Sequence, residues 1–101
     1  MNLNQKQKKY LKGVGHSLSP VVTVADKGLT ENVMAAIEEA LDFHELIKVK
    51  VRLQRDARVD IFEEICNKTN AELITTIGMV LLIYRPTKNN KVELPNFKFT
   101  K

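Results

Sequence analysis

The sequence predicts an α/β domain, a two-layer sandwich with a four-stranded mixed sheet and the element order αβαβαββ. Apolar residues recur at helical spacing in three segments, and four short β-branched runs lie between and after those segments. Glycine and proline interrupt the chain at several of the junctions. Helices that connect successive strands of one sheet are expected to cover one of its faces.

The first helix and the first strand are separated by a clear break. Residues 4–14 place Leu11 and Val14 near one face, with lysines elsewhere. The stretch GVGHSLSP at 13–20 then supplies two glycines and a proline, which end the helix. VVTVA at 21–25 is a short β-branched run and predicts a buried strand.

The second helix is predicted from Thr30 to about His44. Val33, Ile37 and Leu41 recur at four-residue steps and form its apolar stripe. Thr30 is a favourable N-cap, because its hydroxyl can accept a hydrogen bond from a free backbone N–H of the first turn.

The second strand is predicted from strict alternation in ELIKVKVRL at 45–53. Its apolar residues point to one face and its cations to the other, since successive side chains of a strand alternate. The apolar set is Ile47, Val49, Val51 and Leu53, and the cations are Lys48, Lys50 and Arg52. If all three helices lie on one face, these cations form an open ladder on the other.

A third helix and a hairpin complete the fold. Asp56 or a neighbour is predicted to cap the helix, Asn70 to end it, and four residues to face inward: Val59, Phe62, Ile65 and Cys66. Two apolar runs joined near Gly78 and Met79 predict the hairpin. Residues 1–86 are therefore expected to form one domain, and residues 87–101 to form a basic C-terminal tail that can be extended.

The composition and charge of the chain limit the class of protein to which it can belong. The 101 residues carry a net charge of +4, and the 44% apolar fraction is typical of a folded domain. A single cysteine, Cys66, excludes an internal disulfide, and the sequence lacks an apolar stretch of about 20 residues. These features favour a soluble cytoplasmic protein without a membrane anchor. Lysines without acids at the N-terminus, and acids without bases at 30–45, suit a polyanionic partner.

Catalytic and metal-binding patterns are missing from the sequence. His16 and His44 do not stand at ligand spacing from Cys66, and there is no P-loop or nucleophile elbow. Cys66 lies on an apolar helical stripe, where it is expected to be a core residue. We therefore expect that the protein is not an enzyme and that it binds no cofactor, metal ion or small-molecule substrate.

The stretch ADKG at 25–28 joins the first strand to the second helix. A glycine there commonly marks a positive φ angle, which would make Gly28 a purely structural residue. The free N–H groups of a following helix also favour an anion, and Lys27 adds a positive charge. The pattern alone leaves both interpretations open.

Four stretches together resemble the bacterial YhbY-type, stand-alone form of the CRM (chloroplast RNA splicing and ribosome maturation) domain family. They are LKGVGHSLSPVV at 11–22, KGLTENV at 27–33, HELIKVK at 44–50 and LIYRPTK at 82–88. The resemblance implies a fold similar to the C-terminal domain of bacterial translation initiation factor three. It also implies RNA binding and a non-catalytic role in assembly of the large ribosomal subunit.

The same resemblance places the family's Gly-x-x-Gly loop on residues 25–28, where Ala25 replaces the first glycine. The family's Gly-Lys pair before the last strand falls on Gly78 and Met79, so a cation is missing there. Combined with the charge pattern, this predicts an RNA-contacting set consisting of Lys8, Lys9, Lys12, His16, Lys27, Gly28, Lys48, Lys50, Arg52 and Arg85.

Three alternatives remain open at this stage. The cations of the second strand can equally serve to protect an exposed sheet from pairing with other sheets. A basic adaptor that docks an acidic protein would have the same charge pattern, as would a DNA-binding protein. The low aromatic content of 6% argues against a broad base-stacking platform in any case.

Overall fold

The computed structural model describes residues 3–88 and has the predicted element order. The three helices are α1 (Gln5–Gly15), α2 (Glu31–His44) and α3 (Arg55–Thr69). The four strands are β1 (Val22–Val24), β2 (Leu46–Val51), β3 (Glu72–Ile77) and β4 (Val80–Tyr84). The predicted basic tail lies almost entirely outside the described residues.

The sheet is mixed, as predicted, with the strand order β1-β2-β4-β3. Strands β1 and β2 are parallel and are connected through α2, whereas β4 pairs antiparallel with both β2 and β3. The β3–β4 hairpin turns at Gly78, where φ is +59°. A register shift between Leu73 and Thr75 marks a bulge in edge strand β3.

The two faces of the sheet carry separate cores. The larger core lies beneath the connecting helices α2 and α3 and includes Ile37, Leu41, Val49, Ile65 and Leu81. The smaller core lies on the opposite face, where α1 packs; its buried members are Leu11, Leu46, Ile74, Leu82 and Tyr84. The connecting helices thus share one face as expected, but α1 precedes the first strand and covers the other.

This position of α1 changes the expected open ladder of cations. The alternation in β2 is confirmed, since Ile47, Val49 and Val51 are buried in the larger core. Lys48 is only half-exposed, and its Nζ donates a hydrogen bond to the Leu18 carbonyl in the loop after α1. Lys48 therefore lies against the loop that follows α1 rather than on a bare sheet, and Arg52 lies beyond the end of β2.

Helix termini follow the sequence in most cases. Thr30 Oγ1 accepts a hydrogen bond from Val33 N at 3.1 Å, and Asn70 ends α3 in the left-handed conformation, as predicted. Helix α3, however, begins after Gln54 without a side-chain cap, and Asp56 lies inside its first turn. The prediction that Val59 faces inward is wrong, because its exposed fraction is 56%.

Candidate nucleic-acid interface

Helix α1 presents most of its cations beside strand β3. Asn4 and Gln7 form a reciprocal capping box that fixes where this helix begins. A hollow of about 450 Å³ runs along α1, lined by Gln5, Lys6, Lys8, Lys9, Lys12 and Ile74. Lys8 also lies 3.7 Å from a carboxylate oxygen of Glu72, so part of its charge is balanced.

A second hollow, hereafter the α1–sheet groove, continues from the first at Lys12. It has a volume of about 320 Å³ and lies between the C-terminal end of α1 and the sheet. Its lining is Lys12, Gly15, His16, Lys48, Thr75, Ile77, Val80 and Leu82. Among residues 3–88, no Asp or Glu lines either hollow, so the surface is suited to an anionic ligand.

Gly15 makes the groove possible. A Cβ atom at Gly15 would lie 2.6 Å and 2.8 Å from the two methyl carbons of Leu82, so α1 can approach the sheet this closely only without a side chain. The sequence contains a signal for this contact, since Gly15 follows the buried Leu11 by four residues and therefore lies on the same helix face.

Three connecting segments meet at one end of the sheet. Arg52 N donates to the Val24 carbonyl at 2.8 Å, which places Arg52 beside the turn that follows β1. Val51 N donates to the Met79 carbonyl at 2.7 Å, which brings the β3–β4 hairpin to the same edge. Arg52 and Lys27 are both exposed there, and both are free to contact a ligand that crosses this end.

The 25–28 segment is a tight turn. Gly28 N donates to the Ala25 carbonyl at 2.8 Å, and Gly28 has a φ of +70°, the conformation that glycine adopts most easily. Lys27 is exposed at the tip, next to the acidic Asp26. Glu31 in the first turn of α2 adds a second negative charge, which opposes the binding of an anion at the N-terminus of this helix.

Arg85 lies away from the other predicted site residues. Its guanidinium is 2.9 Å from carboxylate oxygens of Glu38 and Asp42, and it donates to the Thr69 carbonyl at 2.8 Å. These partners belong to α2 and α3, on the face opposite α1, and only 20% of the Arg85 side chain is exposed. Arg85 connects α2 with α3 through these contacts, and we do not include it in the proposed interface.

The structure brings six of the remaining predicted residues onto the face of the sheet where α1 packs, whereas Lys27, Gly28 and Arg52 lie at the hairpin end of the sheet. Lys8, Lys9 and Lys12 lie on α1, His16 and Lys48 line the groove, and Lys50 follows on the same face of β2. The sequence did not indicate that apolar Ile77 and Val80 would join these cations. Ile77 belongs to an edge strand beside a turn, where burial depends on whether a helix happens to cover it.

Cys66 is half-buried and packs against the larger core. Burial, helped by the Glu72 carboxylate, raises the pKa of the Cys66 thiol, which keeps it neutral near pH 7. Among residues 3–88, no three His, Cys, Asp or Glu side chains are grouped to hold a metal ion. Within the same range, no helix is both long and apolar enough to cross a membrane.

Glu45 also has a role that the sequence did not reveal. It is fully buried and ends α2 with a φ of +70°. Its carboxylate accepts a hydrogen bond from Thr87 N at 2.7 Å, and its carbonyl accepts one from Arg85 N. This clasp holds the segment after β4 against the start of β2, at the end of the sheet far from the hairpin.

The fold and its charges thus define a class of protein: a small α/β domain with a basic helix on an otherwise open face of its sheet. The model of the CRS1 / YhbY (CRM) domain matches residues 3–85, and the chain belongs to that family. The predicted family membership and fold class are confirmed by this match and by the structural comparison that follows.

Relatives of this chain come from several bacteria and an archaeon. It is 48% identical over 94 residues to an "RNA-binding protein" of Haemophilus influenzae, covering 92% of this chain and 95% of that one. It is 34% identical to a "probable RNA-binding protein" of Methanocaldococcus jannaschii, over 91% of this chain and 70% of that one. The solution structure of SAV1595 from Staphylococcus aureus is similar, with a TM-score of 0.78 and 35% identity, covering 93% of this chain and all of that one.

Proposed function

We propose that this protein is a non-catalytic RNA-binding protein of the cytoplasm that contacts ribosomal RNA in precursors of the large ribosomal subunit. The observation that carries the proposal is the set of cations along α1 and β2 beside two hollows that no Asp or Glu of residues 3–88 lines; the set consists of Lys9, Lys12, Lys48 and Lys50. The names of the relatives support RNA as the ligand class. The ribosomal role rests on the family resemblance.

Binding in this proposal is mainly electrostatic. In this proposal, backbone phosphates along α1 and at the hairpin end of the sheet are held by five exposed or half-exposed cations, which are Lys9, Lys12, Lys27, Lys50 and Arg52. If each of these five cations neutralises one phosphate, the logarithm of affinity falls with the logarithm of salt concentration at a slope near ~−3.5 for single strands. A slope near zero would contradict the electrostatic mechanism.

A matched pair of lysines tests where the RNA lies. Lys12→Gln removes a cation shared by both hollows, whereas Lys68→Gln removes an exposed cation of α3 that pairs with Glu64. Both variants change the net charge equally. We expect Lys12→Gln to weaken RNA binding and to reduce the salt slope by about 0.7, and Lys68→Gln to do neither. Equal effects would mean that only overall charge matters.

The ribosomal part of the proposal is tested in cell lysate. The protein is located in a sucrose gradient, and the RNA that co-purifies with it is identified in each fraction. Co-migration with large-subunit precursors that is lost at high salt is the expected result. Migration at the top of the gradient without ribosomal RNA would overturn the ribosomal role. Salt-resistant association with a protein would favour the adaptor alternative, and preference for duplex DNA over structured RNA would favour the DNA-binding alternative.

A further inference from the structure

The α1–sheet groove has an apolar floor, which a surface that holds only phosphates does not need. Leu82, Val80 and Ile77 form this floor, and Gly15 adds no side chain. Ile77 lines the groove but remains 64% exposed, and Met79 in the adjoining hairpin turn is 40% exposed. Apolar surface of this kind gains free energy when a ligand covers it.

The rim of the groove carries polar groups of a different kind. Lys12 of α1 and His16, which follows α1, border it on one side, and Lys48 of β2 and Thr75 of β3 border it on the other. Lys48 uses one of its three donors on the Leu18 carbonyl, so the others remain for a ligand. The Thr75 hydroxyl can donate or accept. The groove thus combines an apolar floor with a rim that carries hydrogen-bonding groups and positive charge.

From this combination we infer that the α1–sheet groove receives one unstacked base of single-stranded RNA. A base has two apolar faces and a polar edge, and its own backbone supplies the negative charge that matches Lys12 and Lys48. Bases that leave the stack are held between aromatic or apolar side chains with hydrogen bonds to their edges. The groove volume of about 320 Å³ is near the lower end for small-ligand sites, which favours a single base over a stacked run.

Duplex RNA does not fit this description. The bases of an A-form helix are stacked and paired, so a duplex presents phosphates and 2′-hydroxyls but no free base face. A duplex can therefore contact the exposed lysines of α1 but leaves the apolar floor uncovered. The inference rests on the proposed function and deepens it, because it specifies single-stranded RNA at the point of contact.

The test compares one labelled RNA strand of about 12 nucleotides, alone and annealed to its complement, by fluorescence anisotropy at several salt concentrations. The variant Ile77→Ser removes apolar floor without removing charge, and Ile77→Met retains it. Val59→Ser is the control, because Val59 is similarly exposed at 56% but lies on α3. Thermal unfolding of each variant is measured to check that the substitution has not unfolded the protein.

We expect Ile77→Ser to weaken single-strand binding about fivefold or more with an unchanged salt slope, because no phosphate contact is lost. Duplex binding, Ile77→Met and Val59→Ser should be unaffected. Salt-dependent RNA binding that is insensitive to Ile77→Ser would overturn the groove inference and leave the proposed function intact. Wild-type protein that binds neither RNA but binds an acidic peptide would overturn both.

Discussion

A Cβ atom on Gly15 would lie only 2.6 Å from Cδ2 of Leu82, so helix α1 approaches strand β4 as closely as a glycine permits. Leu82 is 3% exposed and packs among Leu11, Leu46 and Tyr84, which leaves its side chain little room to move. The contact fixes both the height of α1 above the sheet and the shape of the groove beside it.

Gly15→Ala is therefore expected to destabilise the protein. Overpacking a core costs about 1–3 kcal/mol, which outweighs the gain in helix propensity of up to about 1 kcal/mol. Gly13→Ala is the control, because a Cβ atom there meets nothing within 4 Å. It should stabilise the protein by about 0.5–1 kcal/mol. Urea unfolding measures both, and equal stabilisation by the two substitutions would show that Leu82 moves aside freely.

The turn at 25–28 gives a second prediction about the backbone. Gly28 has a φ of +70°, with open space where a Cβ atom would lie, so any cost of a side chain arises from the backbone conformation alone. Gly28→Ala should lower stability by about 1–2 kcal/mol. Gly28→Asn should cost less, because asparagine tolerates the left-handed region better. A neutral Gly28→Ala would mean that the turn relaxes to another conformation.

Arg85 gives a contrast between a structural cation and an interface cation. Arg85→Met leaves the Thr69 carbonyl without its charged donor and breaks the contacts to Glu38 and Asp42. We expect a loss of about 2 kcal/mol in the free energy of unfolding. Lys68→Met removes only an exposed i,i+4 pair with Glu64 and should cost about 0.5 kcal/mol or less.

The RNA-binding behaviour of Arg85→Met separates the two roles of a cation. If Arg85 acts only between helices, the salt slope of RNA binding stays at the wild-type value under conditions where the variant is folded. A slope reduced by about 0.7 would return Arg85 to the interface, despite its position on the opposite face.

The sequence predicted elements well wherever a local pattern was sufficient. The period of four in α2, the alternation in β2 and the Gly78 turn all matched the structure, because each depends on neighbouring residues. Val59 was misassigned since α3 is only weakly amphipathic, and helical spacing alone did not reveal which side of it the sheet covers.

The candidate site was less predictable, because it depends on long-range packing. The lysines of α1 and β2 were identifiable from sequence, but their meeting across a groove follows from α1 lying on the face opposite α2 and α3. The engagement of Arg85 by Glu38 and Asp42 joins residues more than 40 positions apart. Charge patterns along the chain carry no information about such pairings.

Tyr84 gives a prediction about alkaline pH. Burial and the nearby Glu45 carboxylate raise the pKa of Tyr84 above the ordinary value of 10.0. In the unfolded chain Tyr84 ionises at its ordinary pKa of about 10, whereas in the folded protein it stays protonated to a higher pH. The unfolded state therefore releases a proton first, and the free energy of unfolding falls as pH rises through 10.

Urea unfolding from about pH 9 to about pH 11 should show a steeper loss of stability for wild-type protein than for Tyr84→Phe. Tyr10→Phe, which removes a hydroxyl from a side chain that is 39% exposed, should follow wild-type protein. Parallel curves for wild-type and Tyr84→Phe would show that the raised pKa of Tyr84 does not contribute to stability.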